Sequence, residues 1–126
     1  MPYTEPFRAA CFEKQYNYLL TDKFPKSKNS VDDLIKKIIS SPIQGDRFPG
    51  FGQDIHIRKL RVGLKEYCLS KRDGLRLIWQ LNEKNKWVLF VAIYYESEYS
   101  REQKIQAMIR ENLKSIISHI EKEFPQ

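Results

Sequence analysis

The stretch from residue 87 to 95 (Trp-Val-Leu-Phe-Val-Ala-Ile-Tyr-Tyr) restricts this chain more than any other. It is uncharged and rich in β-branched and aromatic residues, so it reads as a strand buried on both faces, the expected centre of a sheet. The apolar run 88–95 is far short of the ~20 residues that a membrane-crossing helix needs. Two neighbouring segments, 55–62 and 75–81, have strand character and can pair with it. Polar residues 83–86 predict a turn between the last two strands, and Asp73-Gly74 is a hairpin signal between the first two. Tight connections make the three strands antiparallel.

Helical periodicity flanks this sheet on both sides. Residues 4–20 predict a first helix, with Thr4 as N-cap, Pro6 in the opening turn, and Phe7, Ala10, Cys11, Lys14 and Tyr18 on one stripe. A second helix is expected from a Ser30 cap, with Val31, Leu34, Ile35, Ile38 and Ile39 at helical spacing and Pro42 as its stop. Residues 42–54 hold three Gly and two Pro and read as an ordered loop pinned by Phe48 and Phe51. Ser100 is the expected cap of a long final helix over 100–124, with Ile105, Met108, Ile109, Leu113, Ile116, Ile117 and Ile120 as its stripe. That stripe suits core packing, with a dimer face as the alternative. Residues 1–4 carry a weak strand signal. The expected fold is α+β: a small antiparallel sheet of three to four strands, two N-terminal helices on one face and a long C-terminal helix.

The chain has 126 residues, enough for a single domain over 1–126. With 41% hydrophobic and 30% charged residues it is neither a disordered tail nor a disulfide-stapled miniprotein. The first residues lack a basic segment followed by an apolar core, so no signal peptide is expected and the reading is cytoplasmic. Cys11 and Cys68 match no metal spacing and read as two buried, reduced thiols. His56 and His119 have no partners at metal-ligand spacing, and the hydrolase motif Gly-x-Ser-x-Gly is absent. No metal and no cofactor are expected.

Charge points to an anionic partner. The net charge is +6, and residues 54–86 supply nine basic against four acidic side chains. Alternation puts Ile55, Ile57, Lys59 and Arg61 on one face of the first strand and His56, Arg58, Leu60 and Val62 on the other. On the next strand Arg76 shares a face with Ile78, opposite Leu75, Leu77 and Trp79. If Arg76 pairs across from Lys59 or Arg61, three cations line one concave surface. Such a cluster repels itself and is better explained by an anionic ligand than by stability. Tyr94 and Tyr95 must face opposite ways, one of them towards the core.

Several segments together resemble the RelE/ParE superfamily of bacterial toxins from type II toxin–antitoxin systems. These are Asp46-Arg47-Phe48-Pro49-Gly50, His56-Ile57-Arg58-Lys59-Leu60-Arg61, Gly74-Leu75-Arg76-Leu77-Ile78-Trp79 and the apolar strand 88–95. The resemblance covers roughly residues 5–99. RelE-branch members are small basic ribonucleases that cut mRNA in the ribosomal A site without a metal. It implies that Lys59 and Arg61 are active-face cations, that Arg76 is a phosphate clamp, and that Tyr95 or Glu98 accepts the proton. RNA contacts are expected at His56, Arg58, Lys65, Arg72, Tyr99 and Arg101. Ile57 stands where ribosome-dependent members often carry a basic residue, and Glu96-Ser97-Glu98 stands where Lys, Arg or His is common. The ParE branch shares the fold, lacks the nuclease residues and poisons DNA gyrase. Expected partners are a cognate antitoxin, in a mixed oligomer, together with the ribosome and mRNA; no membrane is expected.

Overall fold

A computed structural model describes residues 2–99 and 101–125. Its order is α1 (Ala10–Asn17), a π-helical turn (Tyr18–Lys23), a 3-10 turn (Pro25–Ser27), α2 (Lys28–Ser40), β1 (Asp46–Arg47), β2 (His56–Val62), β3 (Leu75–Asn82), β4 (Trp87–Tyr95) and α3 (Glu102–Glu123). The four strands form one antiparallel sheet in the order β1-β2-β3-β4. The α+β class expected from the sequence is the class observed.

The two faces bury separate cores. On one, Leu75, Leu77, Trp79, Val88, Phe90 and Ile93 pack beneath α1 and α2 through Phe12, Leu19, Leu20, Val31, Ile35 and Ile38. On the other, Ile57, Ile78, Leu89, Val91, Ala92 and Tyr94 pack beneath Ile105, Ile109, Leu113 and Ile116 of α3. The final helix therefore spends most of its stripe on this chain's own core, leaving Ile117 40% exposed.

The most apolar strand is not central: β4 is the last strand of the sheet. Its burial comes from helices on both faces and from a sealed outer margin. Thr4 bridges Trp87 in parallel at one end, with Val88 N–H donating to the Thr4 carbonyl at 2.9 Å. Further along, a bulge lets Ile78 pair with Ala92 and Trp79 with Phe90, so Val91 has no β3 partner. Its carbonyl accepts a hydrogen bond from Asn112 Nδ2 of α3 at 2.9 Å, and Ile93 N–H donates to Gln15 Oε1 of α1 at 3.3 Å. Two helices thus answer the backbone groups that an edge strand would offer to another chain. Asn112→Leu leaves the Val91 carbonyl buried without a donor and is expected to cost about 1–3 kcal/mol, read as a lower urea midpoint.

Several boundaries differ from expectation. The first helix starts at Ala10, because Thr4 is committed to the sheet rather than to a cap. Its buried face is Phe12, Tyr16, Leu19 and Leu20, not the stripe through Cys11 and Tyr18; Tyr18 is 45% exposed. That face keeps ordinary helical spacing and is set by Phe12 and Tyr16 within α1, before the π-helical turn begins at Tyr18. Cys11 is only partly buried and Cys68 is exposed, so the expected burial of both thiols is not observed. Helix α2 begins at Lys28 after the 3-10 turn, so Ser30 is not its cap; Ser27 and Ser30 hydroxyls instead donate to Glu66. The expected caps Ser100 and part of the 1–4 strand lie outside the described residues, and α3 itself starts at Glu102.

The loop 42–54 contains a strand that the sequence reading lacked, β1, paired with Arg58 and Lys59. Gly45 permits it: its φ is +65°, and a Cβ there would lie 2.1 Å from the Lys59 carbonyl oxygen. Phe48 is buried against the α3 face as expected, and Arg110 of α3 stacks over Phe51 and donates to the Gly50 carbonyl. Residues 63–74 form a folded loop rather than a tight hairpin. Tyr67 packs on Phe24, and the loop closes through a Leu64–Leu69 bridge. Asp73-Gly74 supplies only its last turn.

Candidate functional site

The antiparallel register places Arg61 directly opposite Arg76, which in turn faces Tyr94 on β4. Lys59 is two residues back on β2 and opposite Ile78, so all three cations share the α3 face. This face is not an open hollow. Ile57, Ile78 and Ala92 are fully buried under α3, and the cations share rows with that core, Lys59 opposite Ile78 and Arg76 opposite the buried Tyr94.

The three cations differ in freedom. Arg61 is exposed and has no hydrogen-bond or ion-pair partner among the described residues. The Lys59 ammonium lies over the Phe48 ring at 5.1 Å, which fixes its stem while leaving hydrogen-bonding capacity. Arg76 is 5% exposed and internally engaged. Its Nη1 donates to the Lys71 and Leu75 carbonyls at 2.9 and 3.2 Å, and Nη2 donates to the Arg72 carbonyl at 2.8 Å. Nε faces a Glu96 carboxylate oxygen at 3.4 Å. The loop 63–74 folds back on this long side chain, so the arginine expected to clamp phosphate holds the loop instead.

Other expected site residues are dispersed. Tyr95 points to the α1/α2 face, against Phe24, with Lys23 above its ring. It does not join the cation face. Glu98 accepts a hydrogen bond from the Tyr18 hydroxyl. Arg58 donates to the Gln44 and Gly45 carbonyls, and His56 sits between Arg58 and Glu83, at 3.2 and 3.0 Å. His56 lines a cleft of about 350 Å³ with Arg47, Asp54, Gln80 and Glu83 near the β3–β4 turn, the opposite end of the sheet from Arg61. The up-and-down strand path thus divides the basic stretch between two ends. Lys65 and Arg72 are exposed on the loop 63–74, Tyr99 is half-buried with its ring 4.9 Å from Tyr94, and Arg101 is exposed just before α3.

Two residues matter more than the sequence reading gave them. Glu96 follows β4, and its N–H donates to the Gly74 carbonyl at 3.1 Å, continuing the β3–β4 ladder. Counting by twos from Tyr94 puts Glu96 on the cation face, and that alternation was available in the sequence. Asn112 interrupts an apolar helical stripe, the signal of a buried polar contact. Burial, reinforced by Glu96, pushes the Tyr94 phenol well above its ordinary pKa; the Arg76 charge opposes this. Burial and Glu98 likewise raise Tyr99. Both phenols are therefore proton donors rather than acceptors at neutral pH.

No family model matches the chain, and no curated protein or solved structure is significantly similar to it. No helix among the described residues is long and apolar enough to cross a membrane.

Proposed function

We propose that the chain is the toxin of a type II toxin–antitoxin pair, a RelE-like endoribonuclease that cuts mRNA on the ribosome in the cytoplasm. One observation carries the reading: Arg61 and Arg76 are cross-strand neighbours on the face that also bears Lys59. Like charges in register destabilise a sheet, and the two carboxylates beside them, Glu96 near Arg76 and Asp46 opposite Lys59, leave a net positive charge on the face. An RNA phosphate supplies the missing anion. Arg61 and Lys59 are free to hold it, while Arg76 adds a charge fixed in place before the substrate arrives. The same end supports capture by an antitoxin whose acidic, amphipathic segment neutralises these cations.

Incubating the protein with ribosomes and a defined mRNA, followed by primer extension, tests the reading: cuts in phase with codons are expected. Arg61→Ala is expected to lower the cleavage rate by about 10²-fold with an unchanged thermal midpoint, because the side chain is exposed and unpartnered. A second reading, a ParE-like toxin or a non-catalytic member that only binds its partner, draws on the internal saturation of Arg76 and the remote position of Tyr95. Growth arrest with intact mRNA would select it.

A further inference from the structure

We propose that Glu96 is the group that takes the proton from the attacking 2′-hydroxyl, an inference that rests on the reading of this face as an RNA-cleaving site. The placement of the alternatives leads to it. Tyr95 lies on the opposite face, and Tyr94 and Tyr99 hold their protons. Glu98 is engaged by Tyr18. Glu102 stands in the first turn of α3, where a carboxylate balances the helix dipole. Asp46, opposite Lys59 on β1, is exposed and has no partner among the described residues to aim it, whereas Glu96 is a carboxylate held by one of the cations.

Its geometry suits the role. One carboxylate oxygen faces Arg76 Nε at 3.4 Å, and Arg76 is itself immobilised by backbone carbonyls, so the carboxylate is aimed by a fixed partner. The other oxygen has no partner among the described residues, and the side chain is 40% exposed, open to a ligand. Arg61 lies two strands over, opposite Arg76 on its far side and roughly 10 Å away by strand spacing, so Arg76 stands between the phosphate-binding cation and the proton acceptor, and a substrate phosphate would have to bridge that gap. Arg76 and Tyr94 are the charged and titratable groups that act with Glu96 on the neighbouring strand positions, Tyr99 donates its N–H to the Glu96 carbonyl, and Glu102 acts on the same Tyr94.

In this arrangement the 2′-oxygen loses its proton to Glu96 and forms a bond to phosphorus. The bond from phosphorus to the 5′-oxygen breaks, and the departing oxygen takes a proton from water. The products are a 2′,3′-cyclic phosphate end and a 5′-hydroxyl end, and Glu96 returns its proton to solvent. Positioned proton transfer of this kind contributes about 10²–10⁴-fold.

The test compares the parent protein, Glu96→Gln, Glu96→Asp and Glu98→Gln in the ribosome–mRNA cleavage assay across pH. Glu96→Gln keeps an oxygen for Arg76 and so retains the fold. The expected result is a loss of about 10²–10⁴-fold with Glu96→Gln and disappearance of the acid limb of the pH–rate profile. Ribosome binding should be retained, Glu96→Asp should recover part of the rate, and Glu98→Gln should match the parent. A Glu96→Gln protein that cleaves at the parent rate with the parent's pH profile overturns the assignment and leaves the nuclease reading standing. A parent protein that cuts no ribosome-bound mRNA overturns the nuclease reading, and the assignment falls with it.

Discussion

Arg76→Ala is expected to lose about 3 kcal/mol of folding stability as well as any activity. The guanidinium is almost wholly enclosed and satisfies carbonyls of Lys71, Arg72 and Leu75. Alanine leaves these acceptors to whatever water can reach them and frees the loop 63–74 from its anchor. The Glu96 pair contributes little to this loss, because a carboxylate 40% exposed is well solvated. Lysine should not restore stability, since a compact ammonium cannot span acceptors that a planar fork reaches together. Urea denaturation of Arg76→Ala and Arg76→Lys decides the matter. Parent-like midpoints for both would show that the guanidinium does not hold the loop. A toxicity defect in Arg76→Ala alone therefore says little about phosphate binding, and Arg61 is the informative position.

Trp79→Ala should be the most damaging single change, at about 3–5 kcal/mol. The side chain is fully buried at the centre of the sheet, packed with Phe12, Phe90 and the α2 stripe. Its indole N–H donates to the Pro42 carbonyl at 3.1 Å, tying the end of the α2 segment to β3. For a domain of this size the loss corresponds to a drop of roughly 10–25 °C in thermal midpoint. Trp79→Phe keeps most of the packing and gives up the hydrogen bond, so a loss of about 1–2 kcal/mol is expected. Calorimetry on both variants checks the order; a milder alanine than phenylalanine would contradict the buried position.

Strand faces were legible in the sequence because alternation is strict along β2 and β3. Ile57, Lys59 and Arg61 share a side as expected, and Arg76 and Ile78 share it with them. Helices α2 and α3 were legible from their spacing of isoleucine and leucine. The edge position of β4 was not, because apolarity reports burial without reporting what does the burying. Nor was β1, a two-residue strand that exists only because the chain can pass Lys59 closely at Gly45. Within the site, the face of Arg76 was readable and its engagement was not. A long flexible side chain takes its partners from a loop whose path is set by Tyr67, Leu64 and Leu69, far from any local signal. Glu96 breaks the cationic pattern of the resemblance, and only alternation from Tyr94 places it on the cation face.

The amide of Asn112 reaches both the Val91 carbonyl and Gln15 Oε1, joining positions from opposite ends of the chain at one strand margin. A protein is synthesised from its N-terminus, so β4 is complete before α3 exists. Throughout that interval the margin of β4 beside Val91 is bare, and an apolar strand with unanswered backbone groups is prone to join another nascent copy. The last helix then acts as the step that ends this exposure, and shortening the chain within α3 would extend the vulnerable period indefinitely.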